Sequence, residues 1–299
     1  MKYDSETERN LTDMKITDIL AGEKPSLSFE VFPPKSGDAF DSVREVTEKI
    51  AALHPSFMSV TYGAGGGTSA YTLEIAENLS AHGVTSLAHL TCVSSTKADI
   101  KARLTALREA GIENILALRG DIPAGDENWE REYHYASELT ADIRAFGGFC
   151  IGGACYPESH PDSPTGFADI ENLRRKVEAG CEFLTTQMFF DNNIYYNFLY
   201  RLRESGIGVP VIAGIMPVTN PKSIRRICAI SGTALPQRFV RIVDRFGDTP
   251  GAMRQAGIAY ATEQIVDLLA NGVKAVHVYS MNKPEIAEAI LRNLSEILK

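Results

Sequence analysis

Eight short apolar segments recur along the 299-residue chain, and this repetition constrains the fold more than any other feature of the sequence. Each segment is bounded by turn or polar residues and has the length of a buried strand. The predicted strands are 27–33, 57–64, 85–92, 114–121, 149–157, 183–190, 209–218 and 275–282. Several intervals, and the end of the chain, repeat apolar residues at helical spacing instead. The predicted helices are 39–53, 96–111, 168–180, 260–272 and 284–298.

Strands that alternate with helices predict a parallel sheet, and eight is the number of strands that closes a (β/α)8 barrel. The alternative is an open doubly wound sheet, which usually carries a glycine-rich phosphate-binding turn after its first strand. Here the first strand ends in Pro33 and Pro34. We therefore predict an α/β fold, a TIM-type (β/α)8 barrel over residues 25–299. Residues 1–24 are predicted to form an N-terminal extension, either an arm or a helix.

Composition excludes several classes of function. The formal net charge of −8 argues against a nucleic-acid partner, because binding phosphates requires a basic face. The five cysteines form no CxxC pair, which predicts reduced thiols in an intracellular protein. The N-terminus lacks the apolar core of a signal peptide and no apolar run could cross a bilayer, so we expect a cytoplasmic protein without a membrane partner. The six histidines show no HxxxH spacing, and no metal site is predicted.

Polar side chains collect at the carboxyl ends of the predicted strands, where the active sites of such barrels lie. They are Glu30, Thr61, Tyr62, His89, Thr91, Arg119, Gly120, Asp121, Tyr156, Glu158, His160, Gln187, Asp191, Tyr279, Asn282 and Lys283. Single members have structural alternatives: Glu30 could pair with a buried arginine, His89 could be a satisfied core residue, and Asp191 could cap the next helix. A shared rim nevertheless favours a functional cleft.

Nine motifs occur in order along residues 25–298, and together they carry a family resemblance. They are SFEVFPPK, SVTYGA, AHLTC, ALRGD, ACYPESHP, NLRRKVEAG, TTQMFFD, GIMPVTN and HVYSMN. The chain resembles methylenetetrahydrofolate reductase, in the short bacterial type without a regulatory domain. The resemblance implies FAD on a barrel, reduction of the flavin by NADH or NADPH, and ping-pong reduction of methylenetetrahydrofolate to methyltetrahydrofolate for methionine synthesis. It also implies a homo-oligomer.

The resemblance assigns three catalytic residues. Glu30 matches the general acid, and its apolar neighbours should raise its pKa by desolvation. Asp121 matches an aspartate near flavin and substrate, where it can stabilise positive charge. Gln187 matches a glutamine that holds folate and shapes hydride transfer from NADH. Lys283 stands where relatives carry an arginine, so a folate tail could bind it without bidentate pairing. Ser223 stands where a folate-contacting glutamine can occur, which leaves the effect on folate affinity open.

The resemblance also implies a set of FAD contacts. These are Thr61, His89, Arg119, Gly120, Asp121, Tyr135, Ala136, Ala154, Tyr156, His160, Asp169, Asn172, Arg175 and Lys176. Arg119, Arg175 and Lys176 can neutralise a pyrophosphate. Without the resemblance, the RRK run would be interpreted as a solvated basic helix face.

Two other classes of function stay open at this point. One is a different flavin oxidoreductase on the same barrel, acting on another small conjugated substrate. The second is a flavin- or folate-binding module without turnover, against which the combination of Glu30, Asp121 and Gln187 argues. The preference for NADH over NADPH rests on family type alone.

Overall fold

The computed structural model describes residues 14–34, 39–62, 69–122 and 131–299, and these form a closed barrel of eight parallel strands. The strands are β1 (Ser26–Val31), β2 (Met58–Val60), β3 (Ser86–Thr91), β4 (Asn114–Leu118), β5 (Cys150–Cys155), β6 (Phe183–Thr186), β7 (Val211–Ile215) and β8 (Ala275–Val278). Each pairs with the next along the chain, and β8 pairs with β1 to close the barrel. The predicted TIM-type fold is confirmed.

Helices alternate with the strands. They are α1 (Ile16–Ala21), α2 (Phe40–Ala51), α3 (Ser69–Ala81), α4 (Lys97–Glu109), α5 (Ala136–Phe146), α6 (Gly166–Glu178), α7 (Asn192–Glu204), α8 (Pro221–Ser231), α9 (Gln237–Phe246), α10 (Pro250–Ala270) and α11 (Pro284–Leu294). Three of them, α8 to α10, lie between β7 and β8. None of the helices in the described ranges combines the length and apolarity that a membrane span requires.

The strands are buried on both faces, as expected for a parallel sheet covered by helices. Helix α1 packs at the amino-terminal end of the barrel, where Ile16 is fully buried in a cluster with Phe57 and Phe183. The side chain of Asn114, at the start of β4, accepts a hydrogen bond from the Ile16 backbone N–H (2.8 Å) and donates one to the Met14 carbonyl (3.1 Å). Helix α1 thereby covers the amino-terminal end of the barrel.

The predicted elements differ from the observed ones mainly at their ends. Every predicted strand overlaps an observed strand, but β6 ends at Thr186 within the predicted 183–190. Helix α10 begins at Pro250, ten residues before the predicted start at 260. Within the predicted N-terminal extension, α1 is helical, whereas residues 1–13 lie outside the described residues.

Candidate active site

Two adjoining cavities open at the carboxyl end of the strands. The larger, of about 900 Å³, lies beside the ends of β3, β4 and β5 and is flanked by the starts of α5 and α6. The smaller, of about 230 Å³, lies over the barrel interior. Leu118, Ala154 and Tyr156 line both cavities, so a ligand in the larger cleft would border one in the smaller.

The larger cleft is lined by several basic side chains. The Lys176 ammonium donates a 2.7 Å hydrogen bond to the Ala154 carbonyl and is thereby held at the wall of the cleft. The Arg119 guanidinium forms a 2.7 Å ion pair with Asp162, which is largely exposed. Since an exposed ion pair contributes little free energy, Arg119 can exchange this partner for an anionic ligand at small cost. The lining thus suits an organic anion.

Twelve of the fourteen predicted FAD contacts line this larger cleft. They are Arg119, Gly120, Asp121, Tyr135, Ala136, Ala154, Tyr156, His160, Asp169, Asn172, Arg175 and Lys176. His89 lines the smaller cavity instead, and Thr61, which follows β2, lines neither. Of the last four residues of the set, Asp169, Asn172 and Lys176 share one face of α6, because they are spaced three and four residues apart.

The remaining predicted residues are divided between the smaller cavity and the surrounding loops. Glu30 and Gln187 both line the smaller cavity. Lys283 lines neither cavity, and its ammonium donates to the Thr219 hydroxyl at 2.8 Å. Asp191 accepts a hydrogen bond from the Asn193 backbone N–H and so caps α7, the role that was the alternative to a functional one for this residue.

Glu30 is a buried carboxyl group at the wall of the smaller cavity. Burial raises its pKa from the usual 4.5 to about 8, and a hydrogen bond that Ser59 can donate to the ionised form lowers the pKa by less. The Nε2 atom of His89 lies 3.7 Å from Glu30 Oε2. Burial also lowers the pKa of His89 to about 3, so the imidazole is neutral near neutral pH and provides no compensating charge. Glu30 is consequently a protonated acid at neutral pH.

Gln187 lies beside this acid, immediately after β6. Its Oε1 accepts a 2.9 Å hydrogen bond from the Met188 backbone N–H, which orients the amide. The side chain also hydrogen-bonds the Tyr156 hydroxyl, and burial raises the pKa of that tyrosine. Asp121 is exposed and lines the larger cleft. A neutral acid and an amide that can both donate and accept therefore line the smaller cavity, and the Asp121 side chain lines the adjoining cleft.

Two buried polar atoms in the cavity walls have no hydrogen-bond partner among the described residues. They are the Tyr62 hydroxyl in the larger cleft and the Thr185 hydroxyl in the smaller cavity. Buried polar groups are almost always paired, so both indicate positions where a ligand donates or accepts. Within the described ranges no three His, Cys, Asp or Glu side chains are grouped to hold a metal. The cavities therefore suit an organic ligand with polar edges.

Sequence reasoning missed several residues of these walls. Ser59 and His277 line the smaller cavity, and each is a polar residue inside an apolar strand, which is the same signal that drew attention to Glu30. Arg103 lines the larger cleft, donates to Ser95 Oγ at 2.7 Å and lies 5.4 Å from the centre of the Tyr62 ring. No sequence signal separates this arginine from the other charged residues on α4.

Glu30 should make the stability of the protein depend on pH. The folded state keeps a proton that the unfolded chain releases above its ordinary pKa of 4.5, so this carboxyl destabilises the fold as pH rises towards 8. The difference in unfolding free energy between Glu30→Gln and wild type should therefore grow by about 3.5 kcal/mol from about pH 5 to about pH 8. Urea unfolding of both proteins at the two pH values measures this. Parallel pH dependences would show that Glu30 is ionised in the folded state.

Comparison with known proteins gives a consistent result. The family model for methylenetetrahydrofolate reductase matches residues 15–295. The chain is 36% identical over 298 residues to "Methylenetetrahydrofolate reductase (NADH) 1" of Zea mays, covering 95% of this chain and 50% of that protein. It is 33% identical over 270 residues to "5,10-methylenetetrahydrofolate reductase" of Escherichia coli (strain K12), covering 90% of each. The chain thus spans about half the length of the plant relative.

The solved structures support the fold. A protein from Clostridium thermocellum, described as binding two copies of 5-methyl-5,6,7,8-tetrahydrofolic acid, matches with a TM-score of 0.65. The match covers 95% of this chain and 99% of that one at 14% identity, and at that identity it supports the architecture alone. The family model, by contrast, extends over nearly all of the barrel, including the strands that carry both cavities. The chain belongs to the methylenetetrahydrofolate reductase family.

Proposed function

We propose that the chain reduces methylenetetrahydrofolate to methyltetrahydrofolate by a ping-pong reaction that uses FAD and NADH, with NADPH as the alternative reductant. The observation that carries the proposal is a neutral buried acid, Glu30, in a small cavity that adjoins a larger cleft with basic walls. The family of the chain supports the same reaction. Methyltetrahydrofolate is the methyl donor for methionine synthesis, which would be the use of the product.

The larger cleft fits FAD by the chemistry of its walls. Arg119, Arg175 and Lys176 would neutralise the pyrophosphate, and Asp169 and Asn172 would offer hydrogen bonds to the nucleotide from the same helix face. The unpartnered Tyr62 hydroxyl would gain a partner. When bound, the flavin would supply a hydride relay between the nicotinamide and the folate. The rest of the reaction depends on side chains of this chain.

Glu30 would act on the folate. Its proton would pass to the folate nitrogen that must leave when the five-membered ring opens, so the carboxyl becomes a carboxylate and the ring becomes an iminium cation. Asp121 would stabilise that positive charge, and the oriented Gln187 amide would hold the pterin edge. Lys283, whose ammonium already donates to Thr219, would bind the anionic tail of the folate with its remaining N–H groups.

The visible spectrum of the purified protein under anaerobic conditions tests the proposal. An oxidised-flavin band should bleach when NADH is added and return when methylenetetrahydrofolate is added. A colourless protein that stays colourless after FAD is supplied would overturn the proposal. A band that bleaches with NADH but does not return with methylenetetrahydrofolate would favour a flavin oxidoreductase with a different substrate.

Flavin binding should depend on one of two adjacent arginines. Arg175 lines the larger cleft and forms a 3.5 Å ion pair with Glu171, whereas Arg174 pairs more closely with Glu171 and also with Glu178 and does not line the cleft. Arg175→Met should weaken FAD binding about tenfold, because a charge-assisted hydrogen bond to an exposed phosphate is lost. Arg174→Met should leave FAD binding unchanged. Titration of the apoprotein with FAD, followed by quenching of flavin fluorescence, compares the two variants, and equal affinities would contradict the assignment.

A further inference from the structure

A chain of buried hydrogen-bonding groups runs beneath Glu30. The Ser59 hydroxyl lies 3.5 Å from Glu30 Oε2 and 3.1 Å from His277 Nε2. The other ring nitrogen, Nδ1, lies 2.8 Å from the Ser28 hydroxyl, which lies 3.2 Å from the Val276 carbonyl oxygen. Register explains the arrangement, because Glu30 is opposite Ser59 across β1 and β2, and Ser28 is opposite His277 across β1 and β8.

The imidazole of His277 is held in place on several sides. Phe57 stacks on it with ring centres 5.7 Å apart and ring planes 6° from parallel. Tyr279 meets it edge-on at 5.4 Å. Only 2% of the histidine is exposed. The two ring nitrogens therefore keep their different partners, and the position of the ring proton is decided by those partners.

The polarity of the chain follows from counting hydrogens. The Val276 carbonyl can only accept, and its contact assigns it the single hydrogen of Ser28, which leaves the Ser28 oxygen to accept from Nδ1–H. A neutral imidazole carries one N–H, so Nε2 is an acceptor and Ser59 gives its single hydrogen to Nε2. The Ser59 oxygen can then only accept from Glu30. The hydrogen bond between Ser59 and Glu30 is complete only when the carboxyl carries its proton.

We propose that His277 is a positioning residue for the general acid: Ser28 fixes its Nδ1–H tautomer, and through Ser59 it keeps the proton on Glu30. This inference rests on the proposed function of Glu30. After Glu30 has given its proton to the substrate nitrogen, the Ser59 hydrogen must turn from Nε2 to the new carboxylate, which leaves Nε2 without a donor. The loss of this hydrogen bond therefore favours the return of a proton to Glu30, from water that enters the cavity after product release.

The neighbouring groups do not supply a competing charge. His89 on β3 and His277 on β8 both have their pKa lowered to about 3, each mainly by burial, so the doubly protonated ring that could pair with an ionised Glu30 is disfavoured at neutral pH. Burial raises the pKa values of Tyr279, immediately after β8, and of Tyr156, immediately after β5, so both phenols are neutral. Among the described residues facing Glu30, hydrogen bonding rather than charge distinguishes its two protonation states.

The test measures the proton on Glu30 directly. Infrared spectroscopy of the full chain detects the C=O stretch of a protonated carboxyl group, and the band of Glu30 is the one lost in Glu30→Gln. Its pH titration gives the midpoint for Glu30. Ser28→Ala should lower this midpoint by about one pH unit, because removal of the anchor lets His277 adopt the other tautomer and Ser59 donate to the carboxylate.

A matched control lies two residues earlier on the same strand. The Ser26 hydroxyl donates to the Lys274 carbonyl at 3.4 Å, as Ser28 does to Val276, but has no contact with His277. Ser26→Ala should therefore leave the midpoint unchanged, and Ser28→Thr, which keeps the hydroxyl, should restore it. Equal midpoints for wild type and Ser28→Ala would overturn the proposal, as would an equal shift in Ser26→Ala.

A second measurement needs neither a Ser28 variant nor turnover. Nitrogen NMR of the histidine-labelled wild-type protein should show a buried neutral ring in the Nδ1–H tautomer, assigned to His277 by its loss in His277→Asn. An Nε2–H tautomer at this ring would overturn the proposal even if Ser28→Ala does not fold. Neither measurement uses folate. A protein that fails to reduce methylenetetrahydrofolate would therefore count against the proposed function, whereas the role of His277 is decided by the infrared and NMR results alone.

Discussion

Glu30→Gln is expected to slow reduction of methylenetetrahydrofolate about 100-fold or more, since general acid catalysis is typically worth a factor of about 10²–10⁴. The amide has the shape of the protonated acid and can replace its hydrogen bonds, but it cannot deliver a proton. Hydride transfer from NADH needs no proton from this side chain, so flavin reduction should stay within about twofold of wild type. Stopped-flow absorbance under anaerobic conditions measures the two half-reactions separately.

Glu158→Gln is the matched control for this experiment. Glu158 is also a partly buried carboxyl group after a barrel strand, and burial raises its pKa as well, but it accepts from the Ala234 backbone N–H and lines neither cavity. Both half-reactions should be unchanged in this variant. Equal losses in both half-reactions of Glu30→Gln would mean that Glu30 acts on the flavin, and full activity would mean that another group supplies the proton.

The barrel could be predicted from the sequence because strands buried on both faces are written as nearly continuous apolar runs. The ends of the strands could not be predicted as well. Met188, Phe189 and Phe190 continue the apolar run past Thr186, although the backbone has already left the sheet and Gln187 forms part of the cavity wall. The larger errors in predicted strand length thus lie at the carboxyl ends of the strands, where the backbone forms the walls of the cavities.

The site was predicted only in part, for a physical reason. A carboxylate on a buried strand is costly enough to demand an explanation, and Glu30 was found in this way. Ser59 and His277 are less costly to bury, because a serine or a neutral histidine is readily satisfied in a core. Only the register of β1 against β2 and β8 brings them together into one chain with Glu30. The pattern of residues within a single strand does not reveal how that strand is aligned with its neighbours.

Helix α10 shows how a tertiary contact overrides local propensity. The sequence predicts a start at residue 260, because Pro250, Gly251 and Gly257 all weaken a helical pattern. In the structure, Pro250 occupies the first turn, where its missing N–H is harmless, and the helix continues through Gly257. Gly257 is buried where α10 crosses the segment after β7. Gly257 therefore lowers the local helix propensity but permits the close packing of α10.

Gly257→Ala is accordingly expected to lower the unfolding free energy by at least about 3 kcal/mol, at the upper end of what overpacking costs. A Cβ at this position would overlap the Val218 carbonyl oxygen and lie 2.7 Å from its carbonyl carbon. Both atoms belong to backbone, which cannot move aside as a flexible side chain could. Helix propensity alone predicts the opposite sign, a gain of about 1 kcal/mol. Urea unfolding followed by circular dichroism measures the difference.

Gly251→Ala separates these two effects, because it makes the same chemical change in the first turn of the same helix. A Cβ at Gly251 would meet nothing within 4 Å, so only the unfolded chain and the helix propensity respond. The variant should be neutral or more stable by up to about 1 kcal/mol. If Gly257→Ala were stabilised as well, α10 would not approach Val218 as closely as the structure has it. Opposite signs for the two variants would assign the cost at Gly257 to the close approach of the α10 backbone to the backbone of Val218.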